Sequence, residues 1–281
     1  MATKKNTSKA KTKTTSRVKA VPTSKVTITS RQTLSLPRLQ WASVVLLLLA
    51  VVATVLFMNP ASYSLTVSHL TLDKLQGGAL APAYRHIVDL EIRWILIVIL
   101  SVAAIGQLLH ATRLKQTFAN SLKTQQMPWR WVGLAIVNGL MAETVALLCG
   151  YQDLATLKLF GLMAVITAVF SWCAERQAAA DKSEANLSHL AAVLTAAVSV
   201  VLIGFSLLFT SVYGQVRASW YVYGAFAVFV VNLGMLSLNQ YNQLRAYKNW
   251  KNYEIVERNY TIITLVSLLA FAAVLILGLS K

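Results

Sequence analysis

The sequence predicts an all-α membrane protein built as a bundle of seven spanning helices, with its N-terminus in the cytoplasm. Three observations predict it. Of 281 residues, 56% are hydrophobic and only 13% are charged, where a soluble domain carries about 25% charged residues. The apolar residues fall in blocks of about 20, the length that crosses about 30 Å of hydrocarbon. The basic residues concentrate in alternate connecting segments, the pattern that orients a polytopic chain.

The chain opens on a tail, residues 1–38, with ten Lys/Arg, no Asp or Glu, and many Ser and Thr. Such a stretch buries too little apolar surface to fold and is expected to be disordered. Its first expected role is topological, holding the N-terminus inside; its second is weak attraction to anionic lipid headgroups. Nucleic-acid binding is the less favoured reading, since basic charge alone specifies no groove or base. The tail is too long for a signal-peptide n-region, so the apolar run after it reads as an uncleaved helix.

The helical domain, 39–281, carries charge-poor windows at Trp41–Met58, Trp94–Ala111, Trp129–Cys149, Ala155–Ala174, Leu190–Thr210, Trp220–Tyr241 and Asn259–Leu279. Pro128 precedes the third, where its missing N–H costs nothing. Seven spans put the termini on opposite sides. With the N-terminus inside, the inside segments hold 20 Lys/Arg and the outside segments six. That asymmetry predicts N-inside, C-outside in the cell membrane. The outside segment 59–92 alternates at Ser64-Leu65-Thr66-Val67-Ser68 and carries Gly77-Gly78, which predicts a small β-hairpin. No internal repeat is visible. Cys149 and Cys173 sit in apolar blocks near opposite ends of adjacent helices, so no disulfide is expected, and no Cys/His spacing suggests a metal.

Three stretches carry landmarks in a definite order. Gly150–Arg176, GYQDLATLKLFGLMAVITAVFSWCAER, has Gly-x-x-Asp-Leu, Phe-Gly and a closing Glu-Arg. Arg130-Trp131 opens the span before it, and Val222–Tyr260 carries Asn232, Gln240-Tyr241, Trp250, Tyr253, Glu257-Arg258 and Tyr260. In these landmarks and their order the chain resembles the heliorhodopsins, a seven-helix family with the N-terminus inside. The first stretch resembles the family's helix 3–4 turn and helix 4, Arg130-Trp131 the start of its helix 3, and the last its helix 6 and the loop beyond. The likeness covers about 90–281. It implies a rhodopsin-like fold, a sensory role, a homodimer, and retinal held as a Schiff base on a lysine of helix 7.

That lysine is missing. Counting from Glu257 and Tyr260, the family's Ala-Lys-Ser falls on Ser267-Leu268-Leu269, and no lysine occurs from 259 to 280. The family's helix 3 reads Arg-Trp-x-Glu-Tyr-Ser, its Glu being the counterion; here Gly133 stands in that place and Leu134-Ala135 follow. The two departures belong together, because a buried carboxylate without its cation is costly. The family's helix 2 histidine falls on Gln107, with His110 one turn on, and the Pro-Trp of its helix 5 is absent. The resemblance thus implies an altered pocket, with Leu268, Gly133, Leu134, Gln107, Asn138 and Asn232 as candidate lining residues, and no covalent cofactor.

Other polar groups lie within the spans. Glu143 is about 20 Å along its helix from Arg130, and an intramembrane carboxylate is a functional candidate by default; pairing or water contact is the plainer reading. Asn138 and Asn232 read as interhelical hydrogen-bond partners. Gln107 and His110 share a helix face. Trp131, Trp172, Trp220 and Trp250 read as interfacial anchors. No nucleophile–base pair, paired carboxylates, phosphate loop or metal spacing stands out, which disfavours an enzyme. The leading expectation is a sensory or scaffold protein with an unnamed signalling partner. Non-covalent carriage of a retinoid or other lipid, and a small transporter or proton path using Glu143, Gln107 and His110, are the alternatives.

Overall fold

The computed structural model describes residues 35–73, 79–112, 114–178, 182–214 and 217–280. Most of the basic tail, and the Gly77-Gly78 turn, lie outside the described residues. The elements are α1 (Leu36–Phe57), β1 (Ser62–Asp73), β2 (Ala79–Glu91), α2 (Ile92–Ala111), α3 (Lys115–Thr124), α4 (Pro128–Leu148), α5 (Leu154–Gln177), α6 (Lys182–Tyr213), α7 (Trp220–Leu244), a 3₁₀ turn (Lys248–Lys251) and α8 (Tyr253–Leu279). Seven of these helices, all except α3, are long and apolar enough to cross a membrane.

The expected windows locate the spans but understate them. Helix α1 starts at Leu36, inside the predicted tail; α6 starts at Lys182 and α8 at Tyr253. Each extension is a polar or basic turn that a hydropathy window excludes but a helix tolerates once its apolar part is anchored. Helix α3 lies in a segment expected to be loop. Helix α4 is the centre of the bundle: 61% of its apolar window is buried, against 22–33% for the other spans. The outer faces of α1, α5 and α6 leave Leu49, Leu56, Leu162, Leu194 and Val201 exposed, as lipid-facing surfaces require.

Strands β1 and β2 form an antiparallel hairpin between the first two spans, registered from Ser62↔Glu91 to Asp73↔Ala79 with an irregularity at Leu65/Thr66. We call this the sheet end of the bundle. The hairpin is fastened to the α4–α5 turn: Thr66 N–H donates to Gln152 O (2.9 Å) and Ser68 N–H to Asp153 Oδ1 (3.1 Å). That turn explains the Gly-x-x-Asp spacing. Gly150 takes φ +103°, a conformation that favours glycine. Three residues on, Asp153 caps α5 by accepting from Thr156 N–H (2.9 Å) and Oγ1–H (2.8 Å). Those bonds, with the one from Ser68, hold its carboxyl below the usual aspartate value.

Candidate functional site: a cavity above a buried ion cluster

At the end opposite the sheet, Arg130 sits in the first turn of α4 with its side chain 6% exposed. Its Nη2 donates to Glu175 Oε1 on α5 (2.9 Å), and its Nη1 to Glu257 on α8 and to the Tyr253 hydroxyl (3.4 Å). The guanidinium also lies 4.0 Å from the Tyr260 ring centroid and 4.5 Å from that of Trp131. Glu175 accepts in addition from Trp131 Nε1 (2.7 Å), the Tyr253 hydroxyl and Gln243 Nε2 (3.2 Å). One cation and two carboxylates, nearly dry, therefore tie α4, α5 and α8 together, with α7 joined through Gln243.

This cluster corrects two expectations. Paired carboxylates do occur, at Glu175 and Glu257, which lie 82 positions apart in the sequence and meet only through the fold. Trp131 is no interfacial anchor, because its ring is buried against Arg130 and its N–H is spent on Glu175. All of these residues fall in stretches that resemble the family, yet their convergence carries no local signal. Trp250 likewise donates to Asn239 Oδ1 (2.8 Å), while Trp220 is exposed.

Next to the cluster, between α1, α2, α4 and α8, lies a cavity of about 300 Å³. Leu268, Gly133, Leu134 and Gln107 all line it, as does His110. The positions where the resemblance places the Schiff-base lysine and its counterion thus face one space. Leu268 is 1% exposed in the middle of α8. Nothing lies within 4 Å of where a Cβ on Gly133 would be, so a larger side chain would project into open room.

Asn138 and Asn232 are elsewhere. Asn232 Nδ2 donates to Asn138 Oδ1 (2.9 Å), linking α7 to α4, and Asn138 lines a second, smaller cavity of about 60 Å³ between α4, α5, α6 and α7. Leu134 lines both and forms part of the wall between them.

Glu143 does not join this group. Its Oε2 accepts from Lys158 Nζ on α5 (2.7 Å), a lysine whose side chain is 62% exposed. The carboxylate lies over Gly161, where any Cβ would collide with it. One turn away, Gly139 closes on the Gly161 backbone, so two glycines let α4 and α5 approach and leave a slot for the acid. Glu143 is absent from the residues lining the cavity that holds Gln107 and His110.

Among the described residues no group of three or more His, Cys, Asp or Glu is placed to hold a metal ion. No curated protein matches the chain. A family model does: that of the heliorhodopsins, over residues 36–278, which span all seven membrane helices, the hairpin, the ion cluster and the cavity. On that match the chain belongs to the heliorhodopsin family.

Proposed function

We propose that this protein is a sensory or scaffold member of the heliorhodopsin family that does not hold retinal as a Schiff base. The observation that carries the reading is the shared cavity of Leu268 and Gly133. Retinal, when bound covalently in this family, supplies light absorption through a protonated imine. That bond needs a lysine amine inside the bundle, and a partner charge to stabilise the cation. Here residues 259–280 contain no lysine, Leu268 offers only an alkyl group, and Gly133 offers no carboxylate. The residues present do not fit the covalent group.

In this reading the trigger is an apolar ligand, a lipid or a partner protein that changes the packing of α1, α2, α4 and α8. The ion cluster is positioned to transmit it. Tyr260, Arg130 and Glu257 line the cavity, and through Glu175 they reach α5 and α7. The working form is a homodimer in the cell membrane with the N-terminus inside, its basic tail near anionic headgroups. Neither an enzymatic reaction nor transport is part of the reading. Glu143 is occupied by an exposed lysine instead of a proton relay.

The test is covalent trapping. Protein expressed with all-trans retinal is treated with borohydride, which fixes any imine as a stable amine, and its intact mass is measured. The expected mass is that of the unmodified chain. A retinyl adduct on any lysine would overturn the reading.

A further inference from the structure

The cavity carries more than an apolar wall. Three polar atoms of its lining residues are buried without a hydrogen-bond partner, Gln107 Oε1, Arg130 Nε and the Tyr260 hydroxyl. The first is an acceptor that lacks a donor, the second a donor that lacks an acceptor, and the third can act as either. Buried polar groups are almost always satisfied, so each such orphan calls for a partner. Most of the remaining wall is hydrocarbon, Leu265 and Leu268 among it, although Gln40, Ser43, His110 and Thr264 also line it.

The way in is equally informative. Ile105 on α2 and Val132 and Ile136 on α4 line the cavity and are also exposed on the outer face of the bundle. All three lie within apolar spans, so the seam between α2 and α4 opens toward hydrocarbon. A ligand taking that route comes from the bilayer.

We infer that this cavity binds a neutral, membrane-borne amphiphile with a hydroxyl head and a hydrocarbon tail, the head meeting Arg130 and Gln107 and the tail lying along Leu265 and Leu268. A hydroxyl supplies all three missing partners at once: its oxygen, with two lone pairs, accepts from Arg130 Nε–H and the Tyr260 O–H, and its proton goes to Gln107 Oε1. A carboxylate head brings a further negative charge to a cation that already faces Glu175 and Glu257, and like charge in a dry site is disfavoured. An ammonium head has no lone pair for the Nε–H. At about 300 Å³ the space is at the small end of ligand pockets, roughly 300–1,000 Å³, which suits one chain and not a two-chain phospholipid.

This inference rests on the proposed non-covalent reading, since a side chain carrying a chromophore would fill the same space. The test uses the full chain in lipid nanodiscs, tritiated 1-dodecanol as probe, and dodecanoate as competitor with the same tail. The expected result is saturable dodecanol binding, with dodecanoate at least tenfold weaker as a displacer. Gly133→Phe and, independently, Leu268→Phe should abolish binding, and Gln107→Leu should weaken it about tenfold, the equivalent of one lost hydrogen bond. Circular dichroism identifies folded variants. No saturable binding, equal displacement by the acid, or unchanged binding in a folded filled-cavity variant would each overturn the inference. The borohydride adduct separates the two failures: its presence sinks the non-covalent reading, whereas dodecanol failing to bind an unmodified chain sinks only the ligand.

Discussion

Two buried regions of this protein lie next to each other and treat polarity in opposite ways. Around Arg130 the polar groups are dense and mostly partnered: two carboxylates, a phenol, an indole and an amide converge on one guanidinium and its acids. Around Leu268 and Gly133, further into the bundle, the wall is mostly hydrocarbon, and three unpartnered polar atoms, Gln107 Oε1, Arg130 Nε and the Tyr260 hydroxyl, lie at its edge. The difference teaches which part holds the bundle together and which part has room for something else. An ion cluster fixes geometry, because removing one member strands the others. A cavity does the reverse: it costs packing and keeps open a space that substitution or a ligand can fill.

The comparison breaks most sharply at Arg130. Arg130→Met leaves Glu175 and Glu257 buried without their cation and should destabilise the protein by about 3–5 kcal/mol, measured as a large fall in melting temperature in detergent. Glu257→Gln is the sharper variant. It keeps the Arg130–Glu175 pair and a hydrogen-bonding side chain, so the loss should be smaller, about 1–3 kcal/mol. Equal losses for the two would mean that Arg130 does not hold both carboxylates together.

Next in size come two positions outside the cluster. Gly161→Ala drives a methyl into the Glu143 carboxylate and should cost about 1–3 kcal/mol; in a Glu143→Ala background most of that cost should vanish, which a double-mutant cycle measures. Asp153→Ala removes the α5 cap and the Ser68 contact and should cost about 1 kcal/mol at neutral pH. Because the folded-state pKa of Asp153 lies below its ordinary value, its contribution is present above about pH 4 and is lost as pH falls through the lowered value. The wild-type and variant melts should therefore converge in acid. The smallest effect belongs to Glu143→Gln, whose partner Lys158 is largely exposed; such pairs are worth about 0–1 kcal/mol, and no proton flux should change with it.

How much of this was legible in the sequence follows the range over which each signal acts. The seven spans and the hairpin are local patterns of hydropathy and alternation, and they could be placed to within a turn or two. The Gly150-x-x-Asp153 spacing was visible, and its cause became clear only with the glycine's backbone angle and the aspartate's cap. The ion cluster was illegible as a site, since Arg130, Glu175 and Glu257 each look like an ordinary charged residue near a helix end. Only the packing of α4, α5 and α8 shows that all three are buried on one another. Helix α3 gives no signal in the sequence, because its ten residues of mixed polarity are too short and too polar for a spanning window. The cavity sits between these extremes. Leu268 and Gly133 stood out against a family pattern, and Gln107 and His110 by their spacing, but that four of these residues face one space is a property of the fold.

The central claim is that this cavity is colourless because Leu268 and Gly133 stand where an amine and a carboxylate would have to be. The most direct test is the visible spectrum of two proteins purified after expression with all-trans retinal, the wild type and the double variant Leu268→Lys, Gly133→Glu, each before and after hydroxylamine. The account predicts no red-shifted band in the wild type and a hydroxylamine-bleachable band in the double variant. A bleachable band in the wild type would contradict it, and a double variant that folds but stays colourless would contradict the placement of Leu268 and Gly133 at the bond-forming positions.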